Sequence, residues 1–96
     1  MNENLLNLTL ELIRAKSENP PGDEFEVADI IKNRLKNYLD YKEIMTGEGR
    51  LNLIFGNGEN LIFNGHMDTV PIGKGWNHNP LGEYMDGRIY GRGHRI

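Results

Sequence analysis

His66 and Asp68 stand two residues apart in LIFNGHMDTVPIGKGW, residues 61–76. Side chains two apart on an extended strand point the same way. The spacing therefore puts an imidazole and a carboxylate on one face, at the C-terminal end of the apolar run Leu61-Ile62-Phe63. In open α/β sheets that end is where ligands usually bind. A neutral imidazole is a common zinc ligand, and a carboxylate beside it can fix its tautomer or orient a reacting group. Asn64, Gly65, Pro71 and Gly73 would let the backbone turn sharply around such a site. Patterns of this length also recur by chance, and the plain reading of the two residues alone is a short polar pair in a loop.

The elements that must position this pair are legible from periodicity. Leu5, Leu8 and Leu12, flanked by Leu6, Leu10 and Ile13, give residues 4–16 a broad apolar helical face. Pro20 and Pro21 end that helix, since neither donates a backbone hydrogen bond and Pro20 restricts Asn19. Asp23 begins a second helix with Glu26 at capping-box spacing, and Val27, Ile31, Leu35 and Leu39 form its stripe. From residue 41 the period changes. YKEIMT and LNLIF read as strands separated by Gly47 and Gly49. Gly56-Asn57-Gly58 is a tight turn into LIFN, a third strand whose apolar character on both faces predicts cover on both sides. Residues 71–83 form an extended loop, and EYMDGRIY is a hairpin turning at Asp86-Gly87. The expectation is an α/β fold: two N-terminal helices followed by strands of a mixed sheet.

Composition narrows the function classes. The 96 residues suffice for one small domain, and 38% hydrophobic with 26% charged residues fits a globular protein. Eleven Lys and Arg against 14 Asp and Glu give a net charge of −3, with no basic run to suggest nucleic acid or an anionic membrane. Without cysteine, disulfides and thiolate metal sites are excluded. Glu11 and Arg14 interrupt the N-terminal apolar residues, which makes a poor signal peptide. No run approaches the roughly 20 apolar residues of a membrane span. The expected location is the cytoplasm.

The flanks of His66 add specificity. GHMDTVP, then Trp76 with Pro80 and Leu81 behind it, then DGRIYGRG, follow in order, and the helix–SENPPGDE–helix arrangement precedes them. Together these blocks resemble the co-catalytic zinc metallohydrolase family that includes acetylornithine deacetylase, succinyl-diaminopimelate desuccinylase, aminoacylase and glutamate carboxypeptidase. The resemblance covers essentially the whole chain. It implies that His66 is a zinc ligand and that Asp68 is the carboxylate orienting the metal site. It implies that Gly91, Arg92 and Gly93 form the turn leading to a metal-bridging aspartate. The implied chemistry is hydrolysis of N-acyl amino acids or small peptides. Two zinc ions, with cobalt or manganese as alternatives, would activate water and hold the developing oxyanion, and a glutamate further along would serve as general base.

The resemblance ends at Gly93. The family pattern continues Ala-Ser-Asp-Met-Lys, whereas this chain reads His94, Arg95 and Ile96, so Ile96 stands where the bridging aspartate is expected. The chain is accordingly expected to be a truncated N-terminal portion of a metallohydrolase catalytic domain, with residues 94–96 a non-native tail. His-Arg-Ile-stop can be encoded CAT CGG ATA TGA. Shifted to borrow a preceding G, the string reads GCA TCG GAT ATG A, which encodes the family continuation, so the expectation is a one-base deletion after Gly93, in nature or in the sequence record. Reading the gene past the stop codon tests that explanation.

Other residues carry two readings each. Trp76 lines a cleft or pins its loop to the core. Arg88 and Arg92 hold a substrate carboxylate, or belong to a solvated hairpin or structural ion pairs. His78 and His94 could add metal donors, although His78 in its polar loop reads as solvated and His94 as part of the tail. Two functions follow: a portion of a metal-dependent amidohydrolase, inactive alone and not stably loaded with zinc, or a non-enzymatic remnant acting at most as a weak metal-binding or interaction module.

Overall fold

The computed structural model describes residues 2–56, 58, 61–92 and 94–95, the last two by their backbone alone. Helix α1 spans Glu3–Arg14, and the Asn2 side chain caps it by accepting from the backbone N–H groups of Asn4 and Leu5. Glu3 in its first turn and Arg14 in its last both complement the helix dipole. Helix α2 spans Phe25–Leu35. The expected capping box does not form. Asp23 caps the N–H of Phe25, while Glu26 turns back to accept from the N–H of Lys16. Glu26 is drawn away because the stretch leaving α1 presents an unpaired backbone donor beside it, which satisfies its carboxylate equally well.

Strands β1 (Tyr41–Gly47) and β2 (Arg50–Phe55) form an antiparallel hairpin that turns through Gly49 at φ +71°. Strand β3 (Glu83–Met85) pairs antiparallel with β4 (Arg88–Gly91), and β4 pairs with β5 (His94–Arg95). Asp86 and Gly87, at φ +52° and +75°, make the left-handed two-residue turn that suits the twist of such a hairpin. The fold class is α/β. The expected mixed sheet is replaced by two small antiparallel ones, and the parallel pairing among the described residues is an isolated bridge between Glu18 and Thr69.

Residues 61–64 are not a strand. Leu61, Ile62 and Phe63 are 70%, 83% and 91% exposed. A strand covered on both faces needs neighbours on both edges, and no strand among the described residues runs beside this segment. The buried apolar core is correspondingly small: Ile13, Ala15, Val27, Ala28, Leu51 and Ile89. Gly91 belongs to it by necessity, because a Cβ there would fall 2.5 Å from Ile13 Cγ2. The radius of gyration is 14.5 Å, against about 12.5 Å for a compact chain of this length, so the molecule is looser than its size requires. No helix among the described residues is long and apolar enough to cross a membrane.

Candidate functional site

The prolines set the site's frame. They sit in a turn over residues 19–22 that the Gly22 N–H closes on Glu18 O at 2.7 Å, and backbone groups of the stretch leading into it pair outside the helices. Thr69 N–H donates to Ser17 O at 2.9 Å, and Asn19 N–H donates to Thr69 O at 2.8 Å. This bridge places Asp68 directly against the connection. Asn19 Nδ2 then donates to Asp68 Oδ2 at 3.2 Å. Arg50, at the start of β2, lies 3.4 Å from the same oxygen and 3.4 Å from Glu24 Oε2. Glu24, 6% exposed, also accepts from Leu51 N–H at 3.2 Å, which locks the connection to β2.

His66 and Asp68 are brought together as the spacing predicts, although on extended coil rather than on a strand. His66 Nδ1 lies 3.0 Å from Asp68 Oδ1 and 2.8 Å from Asp68 O. A carbonyl and a carboxylate are acceptors only, so Nδ1 carries the proton. In the neutral tautomer that this contact selects, the lone pair is on Nε2. The His66 side chain is 84% exposed and Asp68 24%, so the ring reaches into solvent from a carboxylate anchored underneath.

Asn19's hydrogen bond, with smaller contributions from His66 and Arg50, holds the Asp68 carboxyl below its ordinary 3.8, against an opposing push from partial burial. A folded-state value below the unfolded one adds stability above the unfolded value, and that stability is lost as pH falls through the folded value. Asp68→Asn is therefore expected to lower the melting temperature near neutral pH. The gap to the unsubstituted chain should close as pH falls below about 3.8, as a melting series from pH 7 to 2.5 would show.

The other candidates lie apart from this pair. His78 is not solvated: its side chain is 28% exposed, stacks on Tyr90 at 3.6 Å between ring centroids and bonds Glu83 through Nδ1. The apolar face of the tyrosine, supplied from β4, is what withdraws it from water. Trp76 is 39% exposed. Its Nε1 donates to Ile72 O within its own loop. Arg88 is exposed, whereas Arg92 is 3% exposed, donating to Glu18 Oε1 and to Ala15 O at 2.6 Å each. The backbone of His94 pairs with Gly91; its side chain, with Gly93 and Ile96, lies outside the described residues.

Sequence reasoning missed the supports of Asp68. Asn19 was visible as part of SENPPG, but nothing local marks Arg50 as a partner for a residue 18 positions away. The donors fit the chemistry of a metal ligand, because an imidazole whose Nδ1–H is held by a carboxylate presents a bare Nε2. They supply one ligand. Among the described residues no group of three His, Cys, Asp or Glu side chains could hold a metal ion.

Comparison with known proteins gives the site its context. No family model and no solved structure matches the chain. Curated relatives do. The succinyl-diaminopimelate desuccinylase of Sulfurimonas denitrificans is 39% identical over 85 residues, covering 85% of this chain and 23% of that protein. The desuccinylase of Nautilia profundicola is 34% identical over 102 aligned positions, covering 94% of this chain and 25% of that protein. The desuccinylase of a Sulfurovum species is 36% identical over 95 residues, with the same two shares. The chain belongs to the family of the succinyl-diaminopimelate desuccinylases. It spans about a quarter of the length of these family members.

Proposed function

We propose that this chain supplies a metal-ligating imidazole, His66, and its orienting carboxylate, Asp68, to a metal-dependent amidohydrolase of deacetylase or desuccinylase type. The substrate class is an N-acyl amino acid or small peptide, in keeping with relatives named as desuccinylases. The observation that carries the reading is the Nδ1–H contact to Asp68, which leaves Nε2 as the coordinating nitrogen. Zinc or cobalt bound there would polarise the scissile carbonyl and make bound water nucleophilic near neutral pH. Asp68 holds the ring's tautomer, and the bridge at Thr69 holds Asp68.

The test is a chimera in which these residues replace the matching segment of the Sulfurimonas desuccinylase. Zinc- or cobalt-dependent release of succinate should survive the exchange and fall by at least a hundredfold with His66→Ala. A chimera whose activity is indifferent to His66→Ala would sink the reading. The 96-residue chain alone should release no succinate, since a catalytic zinc takes about three protein ligands. The small donor set among the described residues favours a second reading, a weak one-histidine metal-binding module without hydrolytic activity. A fully active chimera would exclude it.

A further inference from the structure

We infer that Asn64-Gly65 is a site of spontaneous covalent modification, in which the Gly65 backbone nitrogen attacks the Asn64 side chain and water completes the conversion of its amide to a carboxylate. Both residues are exposed and lie outside any helix or strand. Among the described residues, no backbone group accepts from the Gly65 N–H. Apart from its chain neighbours, nothing lies within 4 Å of where a Cβ on Gly65 would stand. The attacking nitrogen is therefore uncrowded, and glycine leaves the backbone around it a wide choice of angles.

In the first step the Gly65 nitrogen bonds to Asn64 Cγ and the Cγ–Nδ2 bond breaks. Nδ2 leaves as ammonia, taking the proton of the Gly65 amide. The attack is intramolecular and closes a five-membered imide ring. Water then opens the ring. Opening at Cγ gives aspartate on the original backbone. Opening at the main-chain carbonyl gives isoaspartate, whose backbone runs through Cγ and is one carbon longer. Either product places a new negative charge two positions before His66. Other asparagines are spared by their surroundings. Pro20 and Pro80, which follow Asn19 and Asn79, have no N–H to give up. Asn7 and Asn33 lie within α1 and α2, and Asn52 pairs with Ile44 in the β1–β2 ladder. Leaving the regular backbone there would break hydrogen bonds. Asn57-Gly58 repeats the dipeptide, with Asn57 outside the described residues.

Warming the 96-residue chain at mildly alkaline pH tests this, at a dilution that keeps the exposed run at residues 61–63 unpaired. Fragmentation mass spectrometry locates each asparagine that becomes one mass unit heavier, and an isoaspartate-specific methyltransferase reports the lengthened backbone. Position 64 should convert about tenfold or more faster than position 52, whose backbone the ladder holds. Its rate should lie within about threefold of the rate in urea, since a segment without ladder bonds or buried contacts opens at almost no cost. Gly65→Val should slow conversion at 64 by about tenfold or more, because a stiff branched side chain crowds the attacking nitrogen. Asn57 in the same variant should keep its rate. A smaller margin over position 52, stronger protection by the fold, or a rate indifferent to Gly65→Val would each overturn the inference. No metal and no catalytic activity enters the measurement, so its outcome is independent of the reading of His66 as a ligand.

Discussion

Arg92→Met should destabilise the chain by about 3 kcal/mol or more, the lower end of what breaking a buried ion pair costs. The guanidinium is almost wholly enclosed and joins β4 to the end of α1 through Ala15 O and to the α1–α2 connection through Glu18. Methionine fills the volume but leaves Ala15 O without that donor and Glu18 without its cation. Glu18 keeps 28% of its side chain in water, which moderates the loss and argues for the lower end of the range. With six apolar residues buried in the core among those described, the chain has little stability in reserve, since domains rarely exceed 5–15 kcal/mol. Urea unfolding should show the midpoint collapse in Arg92→Met. Arg88→Met, on the exposed side of the same hairpin, should stay within about 0.5 kcal/mol. Equal midpoints for the two variants would refute the clamp.

The second large effect concerns association. Leu61, Ile62 and Phe63 are 70%, 83% and 91% exposed, on backbone that no strand among the described residues accompanies. An exposed, uncharged β-prone run without a strand partner among the described residues is a template for pairing with another copy. The chain at tens of micromolar is expected to sediment as oligomers. The double substitution Ile62→Lys with Phe63→Lys should return it to a monomer by charge repulsion while leaving the melting temperature nearly unchanged, because neither side chain packs in the core. A monomeric unsubstituted chain, or a double variant that melts markedly lower, would contradict this account of the segment.

Local signals foretold the elements that local interactions hold. The leucine spacing gave α1 to within two residues, and Asp86-Gly87 marked the hairpin because only residues tolerant of positive φ suit that turn. Strand character in 61–64 was misread, since apolar content says that a segment wants cover and not that cover is at hand. His66 and Asp68 could be paired by counting to two, even with the backbone in coil instead of a strand. Asn19 and Arg50 escaped because their roles depend on partners 49 and 18 positions away, and no periodicity carries such distances. For Arg92 the sequence left a solvated hairpin and a structural ion pair open; its burial against Glu18 and Ala15 O decides for the ion pair, with a partner 74 positions away that the sequence does not name.

The central claim is that Asp68 fixes the His66 ring so that Nε2 faces the metal. A crystal of the chimeric desuccinylase carrying these residues, soaked in zinc, with anomalous scattering recorded at the zinc edge, tests it most directly. The account predicts a peak about 2.0–2.1 Å from His66 Nε2, with Nδ1 still within hydrogen-bonding distance of Asp68. Zinc bound through Nδ1, or bound elsewhere with His66 left free, would contradict it.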